Sequence, residues 1–276
     1  ENLASTGDLD INDHLTIRGA GADVTIIDGG LIDRIFDIAP FVTLVLSGVT
    51  VRNGSAEFGA GIYNEGGNVI LQDVVMTGNI ATGSSSAESH GGAIANNQGN
   101  ILLERVTVTG NSASQDGGGV YSFNGFIEIN DSSINNNTSA RFGGGLAVEG
   151  GTADIIDSTI AGNTAAEDGG GVNVFPGSTV TIDRSTIRDN VTETKGGGLY
   201  AQSSSITLTE STVSGNTSEA DGGGLAIEYA SLRLLRSTVH TNSTDAAGGG
   251  LALANSSTTI AQSTISGNSA AGNGGG

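Results

Sequence analysis

The segment 196–221 reads GGGLYAQSSSITLTESTVSGNTSEAD, and a variant of the same pattern follows it at residue 222. After the glycines, apolar residues alternate with polar ones in three short runs: Leu199 and Ala201, Ile206 and Leu208, and Val213. Alternation with a period of two indicates β-strands that turn one face inward. The segment therefore predicts three strands, separated by turns rich in Gly, Ser and Asn.

The pattern repeats along most of the chain. Each copy begins with a glycine run that ends on an aliphatic residue: Ile62, Ile94, Val120, Leu146, Val172, Leu199, Leu225 and Leu251. The first step spans 32 residues and the later steps span 26 or 27. A fixed period in this range is typical of a solenoid, in which each unit packs on its neighbours because it cannot bury its own inner face.

Stacked copies of three strands predict a parallel β-helix with aliphatic columns inside. Neighbouring coils would lie one strand spacing apart, about 4.8 Å. We predict an all-β, single-domain fold over residues 1–276, a right-handed parallel β-helix of about ten three-strand coils of about 26 residues. Residues 1–52 form atypical N-terminal coils and residues 53–276 the regular repeats. Because a further glycine run ends at Gly276, we expect the solenoid to continue in a longer protein.

Composition narrows the choice of partner. The 276 residues carry a formal net charge of −19, which disfavours nucleic acid because phosphate binding needs a basic face. No apolar run is long enough to cross a bilayer, so direct membrane insertion is not expected. The chain has no cysteine, which excludes a disulfide framework, and its 46 glycines follow the repeat.

One asparagine recurs in each regular copy, usually nine residues before the next aliphatic marker: Asn79, Asn111, Asn137, Asn163, Asn190, Asn216, Asn242 and Asn268. Asparagine tolerates the left-handed backbone of a tight corner, and its amide can bond to turn groups and to stacked copies. We predict a structural ladder at this corner, because a ligand site would not need to recur in every coil. The glycine runs predict another corner, with positive φ and close backbone approach.

Acidic residues raise the question of a metal ion. Asp116, Asp168 and Asp221 precede glycine runs, and hard cations such as calcium bind clustered oxygens. However, Phe142 and Lys195 stand at the equivalent region of neighbouring copies, so no continuous acidic column forms. Calcium therefore stays open with no site assigned, and no other cofactor is predicted.

Tyrosines on the first strand of the coil are candidates for glycan contact. Tyr63, Tyr121 and Tyr200 point outward, near Glu65, Glu149 and Glu228. Aromatic rings beside acids can bind sugar, and β-helices also host polysaccharide lyases and hydrolases. The histidines, His14, His90 and His240, lie far apart in sequence and have no nucleophile nearby, so no catalytic residue is assigned and an enzyme is the less favoured reading.

Other features of the repeat receive structural interpretations. One exposed column carries alternating charges, which predicts ion pairs between coils: Asp73, Arg105, Asp131, Asp157, Arg184, Glu210, Arg236 and Gln262. A column of Thr and Ser, which includes Thr50 and continues from Thr107 to Thr264, is interpreted as stacked β-branched residues, with ice binding as the alternative. An insertion lengthens the loop over residues 81–90, and Pro176-Gly177 adds one residue that predicts a turn adjustment.

The repeats also resemble those of a known group. The run Gly91-Gly92-Ala93-Ile94 and the spacing of Val108 with Asn111 resemble the GGAI and FxxN repeats of polymorphic outer-membrane proteins, with Ile or Val in place of Phe. The opening segment 15–23 is similar to that of large bacterial surface proteins with parallel β-helix repeats. The resemblance covers nearly the whole chain. It implies secretion and display at the cell surface, with an adhesive or structural role, and it transfers no catalytic residue.

We therefore expect a secreted or cell-surface rod with a structural or adhesive function. Its expected partners are a host-cell, matrix or polysaccharide surface, or copies of itself joined end to end in a filament. The alternative is a polysaccharide-binding or polysaccharide-degrading β-helix protein.

Overall fold

The computed structural model describes residues 7–83 and 89–276, and within them every regular element is a β-strand. Strands of successive coils pair in parallel and in register, so that Val120 pairs with Leu146 and Leu146 with Val172. This confirms the predicted parallel β-solenoid of about ten turns of about 26 residues. Part of the predicted insertion loop, residues 84–88, lies outside the described residues.

Each full coil contributes one strand to each of four sheets, named A to D in chain order. Sheet A contains Leu9–Ile11, Phe36–Ile38, Ile62–Glu65, Ile94–Asn97, Val120–Phe123, Leu146–Glu149, Val172–Val174, Leu199–Gln202, Leu225–Glu228 and Leu251–Ala254. Sheet B contains Leu15–Arg18, Thr43–Ser47, Asn68–Gln72, Asn100–Glu104, Phe126–Asn130, Thr152–Ile156, Thr179–Asp183, Ser205–Thr209, Ser231–Leu235 and Ser257–Ala261.

The other two sheets have shorter strands. Sheet C contains Ile26–Asp28, Thr50–Arg52, Val75–Thr77, Thr107–Thr109, Ser133–Asn135, Thr159–Ala161, Thr186–Arg188, Thr212–Ser214, Thr238–His240 and Thr264–Ser266. Sheet D contains Ser55–Ala56, Ile80–Ala81, Ser112–Ala113, Thr138–Ser139, Thr164–Ala165, Val191–Thr192, Thr217–Ser218, Ser243–Thr244 and Ser269–Ala270. The sequence predicts three strands per coil and misses sheet D, because a run of two residues is too short to show a period.

The core lies between the inner faces of the sheets. Aliphatic residues stack coil upon coil in columns, such as Ile101, Ile127 and Ala153 in sheet B. These side chains are almost completely buried. Because each coil covers the inner face of the next, the hydrophobic stabilisation belongs to the stack and not to a single coil.

The ladder asparagines lie inside the corner between sheets C and D. The backbone N–H and Nδ2 of Asn137 both donate to Oδ1 of Asn163, each at 3.0 Å, and Nδ2 also donates to the carbonyl of Val108 at 3.0 Å. The same pattern links Asn79 to Asn268 through all the intermediate copies. The predicted left-handed backbone at these asparagines is wrong: that conformation belongs to the residue before each of them, for example Gly110 with φ 65°.

The glycine corner has the predicted geometry. Gly117, the first glycine of its run, has φ 67°. A Cβ atom on Gly118 would lie 2.4 Å from the carbonyl oxygen of Thr138, in the next coil. One glycine thus supplies the left-handed turn and the next allows the backbones to approach.

The charged column forms ion pairs between coils at the left-handed turn between sheets B and C. Three arginines each contact an acid one coil earlier: Arg105 with Asp73 at 2.8 Å, Arg184 with Asp157 at 2.7 Å, and Arg236 with Glu210 at 2.9 Å. All of these groups are exposed to solvent, so each pair contributes little to stability.

Candidate functional site

The outward side of sheet A carries the most varied side chains of the solenoid. In the strand Ile62–Glu65, Ile62 and Asn64 are buried inside and Tyr63 points outward, because side chains alternate along a strand. The register stacks the equivalent residues in what we call the floor column: Asp10, Asp37, Tyr63, Ala95, Tyr121, Ala147, Asn173, Tyr200, Ala226 and Ala252.

Two more columns flank the floor column and make it a groove. The first comes from the turn before each glycine run: Phe58, His90, Asp116, Phe142, Asp168, Lys195, Asp221 and Ala247. The second comes from the ends of the sheet A strands: Glu65, Asn97, Phe123, Glu149, Gln202 and Glu228. We call the three columns together the groove face. Three cavities open on it, with volumes of about 1040, 320 and 230 Å³.

Aromatic side chains concentrate on this face. The chain has seven phenylalanines and four tyrosines, eleven in all, and seven of them lie in the three columns or, for Phe175, line one of the cavities that open on them: Phe58, Tyr63, Tyr121, Phe123, Phe142, Phe175 and Tyr200. Several rings lie close to one another, both within a coil and between coils. Phe58 lies 5.9 Å from Tyr63 and 5.9 Å from His90, measured between ring centroids. The groove face is therefore both aromatic and polar, as sugar-binding surfaces are.

The tyrosines predicted to contact glycan share this floor column, but two of them are largely covered. Tyr121 and Tyr200 are only 9% and 7% exposed, whereas Tyr63 is half-buried. The hydroxyl groups donate to acids of the next coil, from Tyr121 to Glu149 at 2.6 Å and from Tyr200 to Glu228 at 2.9 Å. These two rings support the groove more than they offer a free stacking surface.

The environment keeps these phenols protonated. Burial, reinforced by the hydrogen bond to Glu149, raises the pKa of Tyr121 far above its usual value, and burial with Glu228 does the same for Tyr200. Burial alone would raise the pKa of Glu228, but the hydrogen bonds from Lys195 and Tyr200 outweigh it and lower that pKa. At neutral pH the tyrosines are hydrogen-bond donors and not general bases.

The histidine nearest to the groove is less isolated than the sequence predicts. His90 stacks on the ring of Tyr121 with centroids 4.4 Å apart. Its Nδ1 accepts a hydrogen bond from the Asp116 backbone at 3.3 Å and lies 3.3 Å from the Asp116 carboxylate. This contact can be predicted from the sequence, because His90 and Asp116 occupy equivalent positions in consecutive coils. His14 precedes the sheet B strand Leu15–Arg18, and His240 lies at the end of a sheet C strand.

The smallest of the three cavities is centred on an unusual asparagine. Asn173 replaces the Ala or Tyr of the neighbouring coils in the floor column and is 2% exposed. Its Oδ1 accepts no hydrogen bond from any described residue. The cavity has a volume of about 230 Å³ and is lined by Asn173 together with Phe142, Asp168, Phe175, Tyr200 and Gln202. The repeat pattern does not single out Asn173, because this asparagine occurs in one coil only.

The largest cavity lies at the first coils and is acidic. Side-chain oxygens of Asp8, Asp10 and Asp37 lie within 4.8 Å of one another, a spacing that suits a hard cation such as calcium. Burial raises the pKa of Asp37 against the lowering influence of Arg34, its ion-pair partner. Asp116, Asp168 and Asp221 lie in separate coils.

The groove face carries a strongly negative net charge. Its three columns contain eight carboxylates, Asp10, Asp37, Glu65, Asp116, Glu149, Asp168, Asp221 and Glu228, and one ammonium group, that of Lys195. Lys195 Nζ is itself bound to Glu228 at 2.6 Å. The face thus repels anionic ligands in the absence of a bridging cation. Among the described residues, no helix has the length and apolar character needed to cross a membrane.

Comparison with known proteins identifies the fold. A family model described as a right-handed β-helix region matches residues 91–270, well over half of the chain, and it agrees with the predicted right hand of the coil. No curated protein matches the sequence.

Two solved structures show a weak overall likeness. The A-module of mannuronan C-5 epimerase AlgE6 from Azotobacter vinelandii is 12% identical over 98% of this chain and 88% of that one, with a TM-score of 0.32. The A-module of the AlgE4 epimerase from the same organism is 12% identical over 95% and 89%, with a TM-score of 0.30. Similarity at this level assigns no role to any residue of this chain.

Proposed function

This chain belongs to the right-handed β-helix family, and we propose that it is a secreted or surface-displayed adhesive rod whose groove face binds carbohydrate. The observation that carries the proposal is the concentration of seven of the eleven phenylalanines and tyrosines on one side of the solenoid, together with three cavities. Partly buried aromatic side chains that line a concave surface together with polar groups are typical of ligand-binding sites.

The chemistry of the groove supports a ligand rich in hydroxyl groups. Carboxylates and amides along the walls accept and donate hydrogen bonds, and aromatic rings pack against the apolar faces of sugar rings. The columns run along the stacking direction, so the groove places one residue of each column at every coil, about 4.8 Å apart, although the side chain differs from coil to coil. An extended polymer that repeats its own units fits such a surface better than a compact ligand does.

Display at the surface is part of the same proposal. The resemblance to the repeats of polymorphic outer-membrane proteins supports it, as does the high negative charge, which keeps an extended β-rich surface soluble. Labelling of intact cells with an antibody against this chain tests it. End-to-end association stays a prediction, which sedimentation equilibrium at increasing concentration tests.

A glycan array with the purified chain tests the binding function. We expect retention of one or more polysaccharides, and we expect Tyr63→Ala, which removes a half-buried ring from the groove, to reduce it. Tyr229→Ala is the matched control, because Tyr229 is 63% exposed but lies on the turn after sheet A, away from the floor column. If the native chain retains no glycan, or if both variants lose binding equally, the proposal fails.

Polysaccharide degradation is a second candidate, favoured by the contact of His90 with Asp116 beside Tyr121. A histidine next to a carboxylate in a groove has the composition of an acid–base pair. The raised pKa of Tyr121 opposes a mechanism that needs a tyrosinate base. An assay for reducing ends and unsaturated products separates the two functions: turnover that is lost in His90→Ala would establish an enzyme, and binding without turnover would leave the adhesive function.

A further inference from the structure

Asn173 is a buried polar group that the fold itself does not use. It lies between Val172 and Val174, which are completely buried inside the solenoid, so its side chain points to the opposite side, into the groove. The residue is 2% exposed and its Oδ1 has no partner among the described residues. An unpaired buried acceptor costs free energy, and such a group in a cavity indicates a missing partner.

The cavity around Asn173 is built by departures from the repeat. The strand that carries Asn173 ends at Val174, one residue earlier than its neighbours in sheet A. Phe175 leaves the strand and starts a turn, in which Gly177 has φ 80° and Ser178 N–H donates to the Phe175 carbonyl at 3.3 Å. The added residue at Pro176-Gly177 thus creates the turn that brings Phe175 to the cavity wall.

Two aromatic rings form an apolar corner of the cavity. Phe142 and Phe175 pack edge to face, with centroids 5.5 Å apart and planes at 87°. The guanidinium of Arg141 lies 4.7 Å from the centre of the Phe142 ring, so one face of that ring is occupied. Phe175 remains half-buried and can cover the apolar face of a small ring.

Three side chains of the cavity, those of Asn173, Asp168 and Tyr200, offer acceptor oxygens. Asp168 uses Oδ1 to accept from Thr194 Oγ1 at 2.6 Å and from the Lys195 backbone at 3.1 Å, which leaves Oδ2 available. The Tyr200 hydroxyl gives its proton to Glu228, so that its oxygen can only accept further bonds. A ligand must therefore supply donors, and sugar hydroxyl groups do so.

Charge excludes an acidic sugar. Lys195, whose backbone N–H donates to Asp168, is bound through Nζ to Glu228 at 2.6 Å, and Arg141 Nη1 donates to Gln115 at 2.9 Å. Neither cation lines the cavity. A carboxylate on the ligand would meet Asp168 without compensation.

We propose that this cavity is a subsite for one neutral pyranose residue, whose hydroxyl groups donate to Asn173 Oδ1 and Asp168 and whose ring packs on Phe175. The proposal rests on the carbohydrate-binding function of the groove face and names its ligand class. Asn173 would gain on binding the partner that it lacks in the free protein.

The test uses the full chain and small probes. Binding of methyl glucoside, methyl galactoside and methyl mannoside is measured by ligand-detected NMR, with sodium glucuronate and glucosamine as anionic and cationic probes. We expect at least one neutral glycoside to bind, and Asn173→Ala to weaken it by about tenfold or more. Asn100→Ala, at the exposed start of the sheet B strand Asn100–Glu104, is the matched control and should bind as the native chain does.

Phe175→Leu gives an independent check on the aromatic wall, because it keeps an apolar side chain and should fold. This variant should weaken the binding of the neutral glycoside. Circular dichroism verifies that each variant is folded. Unchanged binding in Asn173→Ala, or tighter binding of glucuronate or glucosamine than of every neutral glycoside, would overturn the proposal. If no monosaccharide binds while polysaccharides are still retained on the array, the subsite is wrong and the groove function stands. If neither binds, the groove function itself is wrong.

Discussion

Asn163 and Asn173 are both almost completely buried, at 0% and 2% exposure, yet the solenoid uses them in opposite ways. Asn163 accepts two hydrogen bonds from Asn137 and donates from Nδ2 to Ile134 and Asn190. The Oδ1 of Asn173 has no partner among the described residues. The residue that recurs in every coil holds the coils together, and the residue that occurs once leaves its amide oxygen without a partner.

The same contrast extends to the two sides of the molecule. Repeated residues such as the ladder asparagines and the glycine runs are saturated by contacts between coils. Two of the three cavities of the groove face, around Asn173 and in the first coils, lie where coils differ from one another. A regular stack can fix a surface in space, but only a departure from the repeat gives one part of it a distinct chemistry.

The largest expected effect is on the ladder. Asn163→Ala leaves the Asn137 backbone N–H and the Ile134 carbonyl buried without their partners, and Asn190 loses a donor. Each buried unsatisfied group costs about 1–3 kcal/mol, so we expect the free energy of unfolding to fall by about 3–5 kcal/mol. Urea unfolding followed by circular dichroism measures it. A loss no larger than that of Asn100→Ala, an exposed asparagine, would contradict the structural role of the ladder.

Two glycines, one crowded by the next coil and one on the surface, give the same comparison for steric effects. A Cβ on Gly118 would approach the Thr138 carbonyl carbon to 2.4 Å and the Gly144 oxygen to 2.5 Å, and these backbones are fixed by neighbouring coils. We expect Gly118→Ala to cost about 3 kcal/mol, the upper end of overpacking effects. Gly177 has no atom within 4 Å of such a Cβ, so Gly177→Ala should cost only the left-handed strain, about 1–2 kcal/mol. Equal losses in urea unfolding would show that the close approach between coils does not limit this corner.

Replacement of Asn173 should not destabilise the fold, in contrast to replacement of Asn163. Asn173→Ala removes a buried acceptor that has no partner, so the free energy of unfolding should stay unchanged or rise by up to about 1 kcal/mol. We expect the same variant to bind the neutral sugar more weakly. Asn173→Ala would then gain stability at the expense of function. A clear destabilisation in urea would show that the amide has a structural partner and would weaken the proposed subsite.

Much of the fold can be predicted from the sequence, because repetition multiplies the signal. The alternation in each copy is short, but the stacked equivalents of Ile101 and Leu103 recur from coil to coil and identify an inward face. The glycine corner follows in the same way. Sheet D is missed because its two-residue strands, such as Thr138–Ser139, have no recognisable period.

The candidate site is less predictable for the same physical reason. Repetition identifies what the coils share, whereas the contact between His90 and Tyr121 and the cavity of Asn173 depend on single substitutions in adjacent coils. A serine ladder was also missed, in which Ser132 N–H donates to Ser158 Oγ at 3.0 Å. Serine is common in turns, so its recurrence at that corner did not distinguish a buried ladder from solvated turn residues.

The buried phenols of the groove face should give a pH dependence. Because the pKa of Tyr121 is raised in the folded state, its contribution to stability is complete below the ordinary value near 10 and is lost as pH rises through the higher folded value. The urea midpoint should therefore fall more steeply above about pH 10 in the native chain than in Tyr121→Phe. Gln202→Ala, which removes no titrating group, is the control. The absorbance of tyrosinate is followed in the same titrations. If the urea midpoint depends on pH in the same way in all three proteins, the inferred environment of Tyr121 is wrong.

The smallest effect is expected on the exposed charged column, which repeats like the ladder but remains in water. Arg236 lies 2.9 Å from Glu210, with both side chains about half exposed. Exposed pairs are screened by salt and by water, so Arg236→Gln should leave the urea midpoint within experimental error of the native value, in low and in high salt. A loss comparable to that of Asn163→Ala would mean that repetition alone, and not burial, determines how strongly a column binds the coils. The expected difference between Arg236→Gln and Asn163→Ala separates these causes, because both columns recur from coil to coil and only the ladder is shielded from solvent.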